Sequence, residues 1–297
     1  MTVTSMSAKA LKTHLVGVHV SIGGGHDKGI RQAVDLGCEV AQVFTKNNMQ
    51  WFAPPLADSA VEVYRQAKEE SGLASVFGHA GYLINLAATK PENLEKSRES
   101  LLRELVRADQ LELPFLVLHP GAHLGAGEEA GLRLILQSLD WVFERHQGNC
   151  RIAMEATAGQ GTCLGARIEH LATLLNECPN PERLAVCLDT CHLFAAGFDL
   201  RTRADIDRFI DDFTKLIPWE QVVCVHLNDS KGALGSRLDR HELLGEGKIG
   251  WGCFQEIVNH PAFADIPLCL ETPKGKDNGN DRTMLAKLKA ARNGGRG

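Results

Sequence analysis

A chain of 297 residues with 44% hydrophobic and 23% charged residues has the composition of a soluble globular protein and the length of one α/β barrel. Its net charge of −5 excludes a generally basic nucleic-acid coat, but leaves room for a basic track beside an acidic cluster whose charge bound cations would offset. Nine cysteines, an odd count with no CxxC pair, fit a reducing cytoplasm and not a disulfide framework.

In chain order, the opening MTVTSMSAKALKTH carries no apolar signal core, and residues 1–13 are expected to be flexible. Eight strand candidates follow, at 16–21, 40–45, 75–80, 115–120, 150–156, 184–190, 222–229 and 268–273. Six of them contain apolar runs that stop on a potential metal ligand: SVFGH at His79, FLVLH at His119, RIAME at Glu155, LAVCLD at Asp189, VVCVH at His226 and PLCLE at Glu271. A buried strand reads as a continuous apolar run. One that ends on His, Asp or Glu aims that side chain out of the sheet end.

Helical stretches lie between the strands. In NLEKSRESLLRELVRADQLEL, residues Leu94, Leu101, Leu105, Ala108 and Leu111 fall near one face. Ser59 and Glu62 have the spacing of a capping box. Alternating strands and helices imply parallel pairing with right-handed crossovers, and eight such units predict a single (β/α)8 TIM barrel over residues 1–297. KGKDNGN and the tail 290–297 are expected to be mobile. No stretch approaches the ~20 apolar residues of a membrane span. In such barrels the active site lies at the C-terminal strand ends, where the six ligands fall.

Two local motifs extend the set. Asp189-x-x-His192 puts a second ligand just past the sixth strand, and Asp239-Arg-His241 aims two side chains to one side of a loop. Five histidines, two aspartates and two glutamates are too many for one metal, since zinc takes about four ligands. Imidazole with carboxylate favours zinc, with Mn2+ or Fe2+ as possible substitutes. A single strand-end histidine is more often a hydrogen-bonded structural residue than a ligand, whereas burying nine ionisable groups without metal would be costly. His19 and His123 stay in the structural or supporting class; His14, His26, His146, His170 and His260 are expected on the surface.

Other features are less specific. Gly159-Gln-Gly161 reads as a tight turn near the site. Lys46, Asn47, Met49, Gln50 and Trp51 place a cation, amides and an aromatic on one strand-end loop, which could also be a packed loop anchored by Trp51. Tyr82 and Leu83 form either a wedge or the small core of their own loop. The late cations Lys274, Lys276, Arg282, Lys287, Lys289 and Arg292 could touch phosphates, though such a run is more often a solvated helix face.

The segments GVHVSIGGG, FTKNNMQW, GYLINLA, LHPGAH, EATAGQG, LDTCHLFAAGFDLR and VHLNDSK…GSRLDRHELLGEGKIG together resemble the endonuclease IV family of zinc-dependent apurinic/apyrimidinic endonucleases. The resemblance runs from about Val16 to Glu271. It implies three zinc ions on the open face of the barrel, with Glu155 and Glu271 at the catalytic centre. His79, His119 and Glu155 would hold the first. Glu155 would bridge to a second held by Asp189, His226 and Glu271, and His192, Asp239 and His241 would hold the third. Two positions depart from the family pattern: Met49 stands where Arg is frequent, and Ala156 where Asn is frequent.

The activity implied is hydrolysis of the phosphodiester 5′ to an abasic site in double-stranded DNA, by a cytoplasmic monomer with no membrane partner. Lys46, Asn47, Met49, Gln50, Trp51, Tyr82 and Leu83 would contact the DNA. Two rivals remain at this stage. A sugar isomerase or epimerase of related barrel type would need neither the His192/Asp239/His241 set nor its long loop. A protein that grips abasic DNA without cutting would not need three metals.

Overall fold

The short apolar runs do form the strands. The computed structural model describes residues 14–294, and eight parallel strands close into a barrel: β1 (Leu15–His19), β2 (Val40–Phe44), β3 (Ser75–His79), β4 (Phe115–Leu118), β5 (Arg151–Glu155), β6 (Leu184–Asp189), β7 (Val222–Leu227) and β8 (Pro267–Leu270). Each expected strand lies within a few residues of its observed bounds. β8 returns to β1 with Leu15 opposite Pro267 and Val18 opposite Leu270, which closes the ring. β1 and β2 approach so closely at Gly17 and Val40 that a Cβ on residue 17 would run into the Val40 carbonyl.

Helices α1 (His26–Leu36), α2 (Asp58–Ser71), α3 (Pro91–Gln110), α4 (Glu128–Phe143), α5 (Ile168–Glu177), α6 (Thr190–Ala196), α7 (Arg203–Thr214), α8 (Trp251–Ile257) and α9 (Gly279–Gly294) cover the outside. Leu101, Leu105, Ala108 and Leu111 are buried along the predicted face of α3, while Leu94 is half-buried. Inside the barrel a separate plug of Val40, Phe77, Phe115, Val117, Ala153, Ala185, Cys187, Cys224 and Cys269 fills the space beneath the strand ends. The rings of Phe77 and Phe115 stack there at 4.8 Å. The plug gives the strand ends a rigid floor.

Three local expectations are corrected. Helix α2 begins at Asp58 behind an Ala57 N-cap that makes no side-chain bond, so Ser59 lies within the first turn and the Ser59/Glu62 capping box does not form. His146, His170 and His260 are buried, not on the surface. Each meets a carboxylate far away in sequence: Asp109 at 2.6 Å, Glu128 at 3.1 Å and Asp207 at 2.9 Å. Residues 274–280 form a short 3-10 turn (Lys276–Asn278) and the start of α9, which buries Met284, Leu285 and Leu288. Of the ends expected to be flexible, 290–294 continue α9; residues 1–13 and 295–297 lie outside the described residues.

Candidate metal centre

Each apolar run spends its middle in the core and delivers its end to the bowl above the plug. His79, Glu155 and Asp189 end their strands, His119 and Glu271 come one residue after β4 and β8, and His226 is the penultimate residue of β7. Helix α6 starts directly after Asp189, whose Oδ1 caps it by accepting from the His192 N–H at 2.9 Å. That cap carries His192 into the bowl. Asp239 and His241 arrive on the loop after β7, whose ends pair as a small antiparallel ladder, Asp229 opposite Glu242 and Ser230 opposite His241.

The nine residues assemble into three groups, His79/His119/Glu155, Glu155/Asp189/His226/Glu271 and His192/Asp239/His241, of which the first two share Glu155. Within each group the nearest donor atoms lie within 4.8 Å of one another. Glu155, fully buried, is shared by two of them. Its Oε2 lies 3.2 Å from His79 Nε2 and 3.0 Å from His119 Nε2, and its Oε1 lies 3.0 Å from His226 Nδ1.

Surrounding groups set which ring nitrogen faces inward. His79 Nδ1 donates to the Ala80 carbonyl at 2.7 Å and His192 Nδ1 to the Ala156 carbonyl at 2.9 Å. In both rings Nε2 is thereby turned to the centre. Because Ala156 acts through its backbone, its short side chain leaves His192 oriented. Asn228 donates to Asp189 Oδ2 at 2.6 Å and accepts from the Glu271 N–H at 3.0 Å. His192 Nε2 and His241 Nε2 are buried and make no hydrogen bond among the described residues, although both lie near Asp239 Oδ1, at 3.2 and 3.3 Å.

The electrostatics favour cations. Burial alone would lower the imidazole pKa values. The surrounding carboxylates outweigh it, lifting His241 to about 9 and His226 to about 10 and pushing His192 well up. Burial likewise disfavours the Glu155 and Glu271 carboxylates, but neighbouring histidines hold both well below the usual range. Borderline N/O donors, a strongly negative field and inward-facing orphan nitrogens fit divalent cations such as zinc. Cys187 lies by His226, and Cys191 by Asp189 and His241. Burial keeps both thiols protonated, Cys191 pushed up to about 12, and so makes them poor ligands.

The loop residues divide. Lys46 is buried: its ammonium meets Glu104 at 2.9 Å and donates to the Gln50 carbonyl at 2.6 Å. It anchors the root of the loop with its charge turned inward. Trp51 is half-buried and its carbonyl accepts from Ser100 Oγ. Asn47, Met49 and Gln50 are exposed at the tip, where Met49 is 65% accessible and the Asn47 side chain accepts from the Met49 N–H. Tyr82 is exposed and Leu83 half-buried. The Tyr82 ring stands edge-on to His79 and Phe44 and borders two cavities. One, of about 360 Å³, is lined by His79, His119, His192, Asp239 and His241. The other, of about 530 Å³, is lined by His19, Phe44, Asn47 and Asn48. Glu271 reaches both. Gly159 and Gly161 adopt positive φ in the expected turn, and the Asp239 N–H donates to Gln160 between them. Among the late cations, Lys274 pairs with Asp281, Arg282 with Asp35, and Lys289 and Arg292 with Glu39.

Sequence reasoning missed two buried polar residues. Gln42 sits mid-strand in β2 and touches two of the nine. Asp229 is fully buried and accepts from five backbone N–H groups, those of Ser230, Gly245, Gly247, Ile249 and Gly250, at 2.7–3.2 Å. This carboxylate shapes the loop that carries Asp239 and His241. The signals were a lone glutamine inside VAQVF and an aspartate facing the glycines of LGEGKIG.

Fold and site define a (β/α)8-barrel enzyme with a centre able to hold metal ions. A family profile described as a xylose isomerase-like TIM barrel matches residues 30–292. A probable endonuclease 4 of Chloroflexus aurantiacus is 45% identical over 275 residues, 92% of this chain and 96% of that protein. The crystal structure of endonuclease IV from Thermus thermophilus superposes with a TM-score of 0.82 at 36% identity, covering 93% of this chain and 98% of the other. A D-tagatose 3-epimerase-like protein, at 16% identity and a TM-score of 0.70 over 93% of this chain and 98% of its own, shares the fold alone. The chain belongs to the endonuclease IV family.

Proposed function

We propose that this protein hydrolyses the phosphodiester 5′ to an abasic site in double-stranded DNA, leaving a 3′-hydroxyl and a 5′-deoxyribose phosphate. The observation that carries the reading is the convergence of nine donors in three groups, two of them joined by Glu155, on the open face of the barrel. In this reading His79, His119 and Glu155 hold one zinc, Glu155, Asp189, His226 and Glu271 a second, and His192, Asp239 and His241 a third, with Mn2+ or Fe2+ as substitutes. Bound divalent ions supply charge neutralisation at the phosphodiester and acidify water.

The chain's own residues do the rest. Glu155, with each oxygen turned to a different group, fixes the spacing between neighbouring sites, and Glu271 closes the bowl beside it. Met49, Gln50, Tyr82 and Leu83 fill the space left by the missing base, while Asn47 contacts the backbone. Lys46 and Trp51 hold the loop that presents them. A nucleotide without a base is cheap to kink and extrude, which gives selectivity without reading a base edge. No helix among the described residues is long and apolar enough to cross a membrane. The protein acts as a single-domain cytoplasmic monomer in this reading.

The test is incision of an end-labelled duplex carrying one tetrahydrofuran abasic analogue, with and without chelator. Chelator-sensitive cleavage on the 5′ side with an extendable 3′ end is expected, since the analogue blocks β-elimination. Tight binding without a cut, from protein with its metals present, would sink the reading in favour of a damage-binding protein. Sugar epimerisation fits less well, because the His192/Asp239/His241 group and its Asp229-built loop would have no task.

A further inference from the structure

Ligands come from six of the eight barrel strands; β1 and β2 contribute none of the nine. Their facing residues, His19 and Gln42, are partners in the parallel ladder and point into the same bowl. Gln42 is fully buried in the middle of an apolar strand. A buried primary amide costs free energy unless both ends are satisfied. Here they are: Nε2 donates to Glu271 Oε1 at 2.6 Å, and Oε1 lies 2.7 Å from His226 Nε2. His19 Nδ1 reaches the same Glu271 oxygen at 2.8 Å.

We propose that Gln42 is a positioning residue for the Glu155/Asp189/His226/Glu271 group, acting as a directional clamp on two of its members. This rests on the metal reading above. The direction of the amide follows from Glu271. A carboxylate only accepts, so the NH2 end must face it and the carbonyl end must face His226. A carbonyl in turn only accepts, so His226 carries a proton on Nε2 and Nδ1 is the atom that would take a cation. That atom faces Glu155 Oε1 at 3.0 Å and Glu271 Oε2 at 3.2 Å. One amide therefore fixes the ring orientation of one ligand and the rotamer of another, and it keeps the His226 proton on Nε2 when a cation takes the place of the proton on Nδ1. His79 and His192 obtain the same service from backbone carbonyls; His226 obtains it from a side chain, which can be replaced.

The other two groups do not touch Gln42, and this makes the proposal selective. Loss of the clamp should loosen one metal and leave the rest. A residue that served only to fill the core would affect all metals or none.

The experiment compares wild type with Gln42→Met, which keeps the volume, and Gln42→Glu, which keeps an acceptor for His226 but sets a like charge against Glu271. Each fully loaded protein is mixed with a chromogenic chelator, and release of each zinc equivalent is timed alongside circular dichroism. In both variants one equivalent should leave about 10–100-fold faster, the usual cost of losing an outer partner of a ligand, while the others keep their wild-type rates. Uniform rates across all three proteins would overturn the clamp, as would equal acceleration of every equivalent. Wild-type protein that takes up no zinc would overturn the metal reading itself, a failure visible before any variant is made. Abasic-duplex incision is a second readout: kcat should fall in step with the lost equivalent, with KM for the duplex little changed. A fall confined to KM would count against the proposal.

Discussion

At the residue scale, Glu155 carries the most connections in the bowl. It meets His79, His119, His192 and His226 from a position with no solvent access. Replacing it with Ala removes the shared carboxylate and leaves those imidazoles without a common anion. Glu155→Ala should lower bound metal by more than one equivalent and reduce abasic-site incision by more than the roughly 100-fold that an outer partner costs. Metal analysis and single-turnover kinetics on folded protein check this, and wild-type incision would remove Glu155 from its bridging role. Met49 acts differently, as an exposed thioether at a loop tip. Met49→Ala should weaken binding of abasic duplex about tenfold, near the ~1.5 kcal/mol of one apolar side chain taken from water. Because Met49 neutralises no phosphate, the salt dependence of binding should keep its slope.

Of the nine donors that converge in the bowl, seven were legible because each ends an apolar run or lies three residues past one, and Asp239 and His241 by their own i, i+2 spacing on a loop. Gln42 was not, because an amide within VAQVF says nothing about what its two ends meet across the barrel. His146, His170 and His260 were misplaced for a related reason. Their carboxylate partners lie 37, 42 and 53 residues away, a distance no local pattern spans.

At the scale of elements, the loop after β7 shows how an irregular segment can hold ligands in place. Residues 229–250 contain only a two-residue ladder on each side, yet five of their backbone N–H groups converge on the Asp229 carboxylate. Gly247 must lack a side chain there, since a Cβ would collide with the Asp229 carboxylate and the Ser230 carbonyl. Asp229→Ala would strand those donors in a buried place at about 1–3 kcal/mol for an unsatisfied group. We expect a loss of about 3 kcal/mol or more in urea unfolding, and loss of the metal equivalent proposed for His192, Asp239 and His241. A variant that keeps full stability and full metal content would show that the loop holds its shape without the carboxylate. The existence of the loop was legible from sequence. Its internal scaffold was not, because backbone donors leave no trace in residue identity beyond the glycines.

At the scale of the whole molecule, the barrel closes between β1 and β8, and α9 packs beside that seam. Glu39 ties the region together. Arg292 meets both its oxygens at 2.9 Å, and the Val16 N–H donates to it at 2.9 Å. Burial would raise the Glu39 pKa, but these donors outweigh it and hold it below the usual carboxylate range. A carboxylate whose pKa is lowered by folding contributes stability above its unfolded value, and that contribution fades as pH falls through the lowered one. Glu39→Gln should therefore reduce Tm at neutral pH, and the gap from wild type should close in acid below the carboxylate range. A gap that stays constant down that range would show that the pair contributes nothing through charge. The barrel itself was legible because eight apolar runs alternate with amphipathic segments. The role of the C-terminal cations was not, because Asp35 and Glu39 lie at the opposite end of the sequence.

The nine donors come from six strands and the segments that follow them, and none from β1 and β2, which gives the bowl a front and a back. Of the two cavities, the larger opens beside His19 and Asn48 with Glu271 as its one donor of the nine, and the one lined by His79, His119, His192, Asp239 and His241 lies across Tyr82. A polynucleotide has polarity, and a cutter that always leaves the same kind of end must distinguish upstream from downstream. A ring with donors on all eight strands would present nearly the same face to a strand laid in either sense. A horseshoe does not, and under the proposed function the gap at β1 and β2 would be what tells one sense of the strand from the other.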